Sequence, residues 1–145
     1  MSHRTWHNYG YGICTDKLET VEVSRIQALI HCAPEYEKVV NDLLLKREIT
    51  DPEPDDYLEL EINSCYGMAS ILQDVILEAE GLIFTACDNY DSSNYLLYMP
   101  SYPWQLQANE HSLTEESVRQ IFAKYASILS DEVLEVDYQS VENGG

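Results

Sequence analysis

Cations are scarce in this 145-residue chain: 8 Lys and Arg stand against 26 Asp and Glu, for a formal net charge of −18. Between Arg47 and Arg119 there is none. A surface so poor in basic residues repels phosphate backbones and anionic headgroups, which excludes direct binding of nucleic acid or an acidic membrane as a function class. Long apolar runs are missing too. No stretch reaches the ~18 consecutive apolar residues that a membrane-spanning helix needs, and the start, Met1 to Thr5, lacks the basic and apolar pattern of an export signal. A cytoplasmic protein is the expectation.

Cysteine pairs at redox or metal spacing are absent as well. Cys14, Cys32, Cys65 and Cys87 contain no C-x-x-C, and a chain of this length builds core enough to fold without disulfides. Four reduced thiols, mostly buried, are expected. Gly10-Tyr11-Gly12 lacks the third glycine or the Gly-Lys-Ser/Thr that would cradle a phosphate. The histidines are His3, His7, His31 and His111, and the two that share a strand face stand ~13.6 Å apart along it, too far for one ion. The run Asp88 to Asn94 has oxygen ligands without the alternation and glycine of a calcium loop. No metal, cofactor or catalytic residue is assigned. With this many acids some carboxylate pair always looks suitable for catalysis, so such a pair carries no information, and the chain is expected not to be an enzyme.

What is present is globular: 45% hydrophobic and 10% aromatic residues in one domain spanning 1–145. The opening run Arg4 to Cys14 alternates as a strand, with Gly10 and Gly12 on one face where another backbone approaches closely or a bulge forms. Ile26, Leu29, Ile30 and Ala33, then Tyr36, Val39, Val40, Leu43 and Leu44, recur at helical spacing on either side of Pro34, a residue favoured in a helix first turn. The two prolines in Thr50 to Asp56 predict a turn or extended linker. Tyr57 to Ile62 reads equally as a short strand or a helix start. Met68, Ile71, Leu72, Val75, Ile76 and Ala79 predict a helix closed by Gly81. Leu82–Cys87 and Tyr95–Met99 predict a hairpin, and Pro100 to Trp104 an extended aromatic connection. Ser112-Leu113-Thr114-Glu115 is a capping-box pattern opening a helix that buries Val118, Ile121, Phe122, Tyr125, Ile128 and Leu129. Leu134, Val136 and Tyr138 predict a last strand before a loose tail, Glu142 to Gly145. This order predicts an α+β fold, a mostly antiparallel sheet of about four strands with helices packed on one face.

Charge placement carries the functional expectation. Even complete pairing with all 8 cations leaves 18 carboxylates over, and unpaired carboxylates must face solvent or a partner because burying a lone ion costs too much. Asp51, Glu53, Asp55, Asp56, Glu59, Glu61, Asp88 and Asp91 are the expected partner-binding acids. Glu59 and Glu61 on a strand would project ~6.8 Å apart, and Asp74 and Glu78 lie one helical turn apart. Tyr90, Tyr102 and Trp104 are the expected aromatic anchors beside them, with Tyr57 and Tyr95 as further candidates. Closely spaced carboxylates offer Arg and Lys the hydrogen bonds that phosphates offer, which is nucleic-acid mimicry.

The segments Tyr98-Met99-Pro100-Ser101-Tyr102-Pro103-Trp104 and Asp137 to Gly145 are similar to uncharacterised proteins of bacterial mobile elements. With its size and acidity, the chain resembles small phage-borne proteins of the anti-CRISPR type. That resemblance implies a nonenzymatic inhibitor in the host cytosol that occupies the basic nucleic-acid groove of a defence nuclease, a CRISPR effector foremost. It implies no fold and gives no residue a role. Two other readings stand beside it: an accessory or assembly protein anchored through the aromatic patch of Pro100 to Trp104, and a small hydrolase with an unrecognised site.

Overall fold

The computed structural model describes residues 5–18, 21–60, 66–88, 93–98, 115–131 and 136–144. Strand β1 (Thr5–Cys14) leads through a 3-10 turn (Asp16–Leu18) into helices α1 (Val23–Ile30), α2 (Pro34–Lys46), α3 (Pro54–Leu58) and α4 (Met68–Glu80). The hairpin β2 (Thr85–Asp88) and β3 (Asn94–Tyr98), helix α5 (Glu115–Leu129) and strand β4 (Asp137–Gly144) complete the α+β fold. The strands form one sheet in the order β2-β3-β1-β4, and every adjacent pair is antiparallel.

Helix boundaries follow from backbone chemistry. Pro34 and Pro54 each sit in a helix first turn, where a missing N–H removes nothing and φ is already set. The second of these corrects the expected linker: Pro54 opens α3, and the Glu53 N–H donates to the Asp56 carboxylate at 2.7 Å across the new helix start. Tyr57 and Leu58 are therefore helical, and Glu59 follows as the C-cap. Gly81 closes α4 at φ 70°, as a left-handed cap does. Helix α2 ends differently. The N–H groups of Glu48 and Ile49 donate to the carbonyls of Leu45 and Leu44, and the left-handed position falls on Glu48 at φ 57°, a residue with a Cβ.

The sheet has two unlike faces. Ile13, Leu96 and Ala86 are register partners and join Tyr98 in a cluster with buried residues of all five helices, including Leu29, Val40, Tyr57, Leu72 and Phe122. Phe84 ties the sheet end to α5, its ring centroid 5.5 Å from Tyr98 and 5.0 Å from Phe122. On the other face Leu97 and Cys87 are buried with Tyr95 packed against them. Although β2 and β4 occupy opposite edges they also approach one another, so the sheet is curled. The helices fill the Ile13 face, so the curl closes over the face of Gly12 and Leu97. A Cβ at Gly12 would collide with the Leu96 carbonyl oxygen and stand 2.7 Å from Leu97 Cδ2, so only glycine fits there.

Several expectations change. Glu142, Asn143 and Gly144 are not a loose tail; they pair with His7, Trp6 and Thr5, because the ten-residue β1 offers its whole length to a partner. Cys87 is buried and Cys14 half-buried, but Cys32 is exposed because it lies in the turn between α1 and α2. Val39 is exposed too, since α2 turns only Tyr36, Val40 and Leu44 fully inward. Pro100 to Trp104, Ser112 to Thr114, Leu134 and Cys65, for which the sequence also gives expectations, lie outside the described residues. Among the described residues no helix is long and apolar enough to cross a membrane.

Two substitutions test these backbone positions by urea unfolding. Gly12→Ala is expected to destabilise by about 1–3 kcal/mol through overpacking. Glu48→Gly, which relieves the left-handed strain, is expected to stabilise by about 1 kcal/mol.

Candidate functional site

The carboxylates divide into two sets. Some accept hydrogen bonds that tie one element to another, Glu78 and Asp16 while remaining exposed, and their partners are mainly neutral donors. Glu78 on α4 accepts the backbone N–H groups of Tyr36 at 2.9 Å and Glu35 at 3.1 Å, satisfying orphan donors at the start of α2. Glu80 accepts the Tyr125 hydroxyl at 3.0 Å and Lys124 Nζ at 3.2 Å, joining α4 to α5. Burial first, then this bond to Glu80, raises the Tyr125 pKa. Asp16 accepts the Asn94 N–H at 2.8 Å, and the buried Thr15 hydroxyl donates to the Asn94 carbonyl at 3.3 Å, which fixes where β3 begins.

The second set is the exposed run after α2. Glu48, Asp51, Glu53, Asp55 and Glu59 are exposed and Asp56 half-exposed. The ion pairs resolved among the described residues, Arg25–Asp131, His31–Glu37 and Lys124–Glu80, lie elsewhere. Thus Asp51, Glu53, Asp55, Asp56 and Glu59 are brought together on one short helix and its approach. Asp88 is not among them. It sits half-buried at the hairpin end of β2, which contacts β3, α4 and β4, whereas α3 contacts α1. Glu61, Asp91, Tyr90, Tyr102 and Trp104 lie outside the described residues.

Three expected features are corrected. Glu59 belongs to a helix end, so the strand spacing proposed for Glu59 and Glu61 does not apply to it. Glu78, although exposed, is bonded to the N–H groups at the start of α2, so it does not stand free beside Asp74; Asp74 is itself partly buried, and desolvation raises its pKa. Tyr57 is 2% exposed and belongs to the core, because α3 lays it against α1. Its hydroxyl accepts Gln27 Nε2 at 3.1 Å.

That contact borders a feature the sequence did not announce. A trough of about 470 Å³ runs between α1, α2 and α3, lined by Ser24, Gln27, His31, Glu37, Asn41 and Tyr57 together with Ala28 and Ile30. His31 Nδ1 lies 3.1 Å from Glu37 Oε2 and 3.3 Å from Oε1. Ser24, Gln27, Ala28 and His31 recur at 3, 4 and 7, the solvent stripe of α1, so the only signal for them was a polar helix face. Among the described residues no group of three His, Cys, Asp or Glu side chains converges as metal ligands do.

With fold and surface in view, comparison with known proteins gives no family model, curated protein or solved structure that matches the chain.

The exposed and the buried thiol, Cys32 and Cys87, are expected to react differently. Burial, then the neighbouring Asp88 charge, pushes the Cys87 thiol up from 9.0 to about 11, while Cys32 is exposed. A disulfide exchange reagent at neutral pH should label Cys32 quickly and Cys87 only on unfolding, so Cys32→Ser should remove a fast phase that Cys87→Ser leaves intact. Because the folded state holds the Cys87 proton more tightly than the unfolded state, its contribution to stability is intact below about 9 and is lost as pH rises through about 11. Urea midpoints across that window should fall less in Cys87→Ala than in the parent chain.

Proposed function

We propose that this protein is a nonenzymatic binding protein whose acidic run from Glu48 to Glu59 docks on a basic protein surface that otherwise holds nucleic acid. The observation that carries the reading is the exposure of Asp51, Asp55 and Glu59 with no cation from the described residues in ion-pair contact. The internal hydrogen bonds take up other acids and leave this run facing outward. Helix α3, opened by Pro54 and the Glu53–Asp56 contact, holds several of these carboxylates at fixed spacing, so less ordering is needed when they meet a partner. A bacterial defence nuclease is the proposed partner, with a CRISPR effector the class that the resemblance to anti-CRISPR proteins indicates. Its arginines and lysines would meet carboxylates in place of phosphates.

The test is capture from a bacterial lysate at low and high salt, with and without competing DNA, followed by association kinetics on the captured nuclease. Capture is expected to be lost at high salt and to be displaced by DNA. The triple variant Asp51→Lys, Asp55→Lys, Glu59→Lys should associate at least about tenfold more slowly at low salt. These positions avoid Asp56, whose carboxylate supports α3. Association that is unchanged in rate and in salt dependence would remove this surface from the reading.

A further inference from the structure

The trough between α1, α2 and α3 is lined by one ionisable acid, Glu37, beside the side chains of Ser24, Gln27, Asn41 and Tyr57, which both donate and accept hydrogen bonds. Among the described residues no Lys or Arg lines it, and the nearby Arg25 is engaged with Asp131 at 2.9 Å. Both oxygens of Glu37 already face one nitrogen, His31 Nδ1, at 3.1 and 3.3 Å. The two side chains differ in freedom. Glu37 is 28% exposed and His31 81% exposed, so the imidazole can swing into solvent while the carboxylate stays in the wall. Helix α3 supplies the Tyr57 wall, and its acids Asp55 and Glu59 lie outside the lining.

We propose that this trough receives the guanidinium of an arginine, with Glu37 as its carboxylate partner and His31 as the displaceable group that holds the place when the trough is empty. The proposal rests on the reading of the acidic run as a docking surface and names the side chain that the basic partner would insert beside it. Arginine fits better than lysine for a geometric reason. A guanidinium presents five N–H donors across a plane and can meet both Glu37 oxygens side by side while its remaining donors reach the polar side chains of the walls, whereas an ammonium concentrates three donors at one point. A phosphate or other anion would find one carboxylate and no cation in the lining.

The probe is N-acetyl-arginine amide, titrated at low salt into the full chain and followed by backbone amide chemical shifts, with N-acetyl-lysine amide as comparison. Saturable shifts confined to the surroundings of Glu37, His31 and Asn41 are expected for the arginine probe, at least about tenfold weaker in Glu37→Gln. His31→Ala should bind as tightly as the parent or more tightly, since it removes a competitor and alters a side chain already in solvent. A merely structural His31–Glu37 pair would instead make both variants lose the response. Equal responses to lysine and arginine, no saturation, or no loss in Glu37→Gln would each overturn the proposal. So would loss of binding in His31→Ala. A second variant, Asn41→Lys, places a cation in the wall without touching the His31–Glu37 pair and should abolish the arginine response; retained binding there also overturns it. Repeated at about 0.15 M salt, the titration of the Asp51, Asp55, Glu59 triple variant should give arginine binding within about threefold of the parent, since exposed charges outside the lining are then screened by solvent. Failure of the trough is thereby distinguished from failure of the docking surface: the first appears with the small probe, the second only in the kinetics with the nuclease.

Discussion

A polypeptide with 26 acids and 8 cations cannot fold by pairing charges, so the carboxylates that it uses at its junctions are satisfied largely by neutral donors. This constraint organises the junctions of the fold. Glu78 takes two backbone N–H groups at the start of α2 and thereby sets α2 against α4. Glu80 takes the Tyr125 hydroxyl and sets α4 against α5, with Lys124 as its additional partner. Asp16 takes the Asn94 N–H where β3 leaves its hairpin, and Asp56 takes the Glu53 N–H where α3 starts. An ionised acceptor makes a stronger hydrogen bond than a neutral one, and a helix N-terminus offers donors that would otherwise go unpaired. Asp51, Asp55 and Glu59, in the run after α2, are exposed and have no ion-pair partner among the described residues.

The same economy of space shapes the sheet. With helices covering the Ile13 face, the other face closes by curling, and Gly12 lets Leu97 lie across β1 where any side chain would obstruct it. The long pairing of β4 along β1 then brings the last strand round toward β2. On the helical side, α1 is held from both sides, by α2 and by α3, and the trough is the gap these short elements leave above Ala28 and Ile30. The acidic run and the trough therefore share α3: its buried Tyr57 closes one wall while its outward carboxylates continue the negative surface.

Helix positions were readable where apolar spacing and caps agreed. Pro34, Gly81 and the repeats around Ile26 and Ile71 placed α1, α2 and α4 because a 3.6-residue period, a preset φ and a residue tolerant of positive φ are local properties. The linker before Tyr57 was misread because proline is compatible with both an extended segment and a helix start, and only the contact of α3 with α1 decides between them. Tyr57 itself gave no sign of burial, since a tyrosine among carboxylates has the same local pattern whether its ring points out or into a core. The tail was misread because glycine and asparagine weaken strand propensity, yet a long central neighbour supplies ladder hydrogen bonds regardless.

From the order of residues alone came the excess of carboxylates, the helical repeats, the strand-like alternation and the acid-rich stretch beyond Arg47, all of which depend on composition or on neighbours a few positions apart. Which acids tie one element to another depended on donors brought from 42 to 78 positions away, as in Tyr36 with Glu78 and Asn94 with Asp16. Strand order, the curl over Gly12 and the meeting of His31 with Glu37 inside a three-helix trough likewise belong to the folded chain. Hydrogen-bond donors satisfy a carboxylate only at about 3 Å, and no local pattern states which distant segment will come that close.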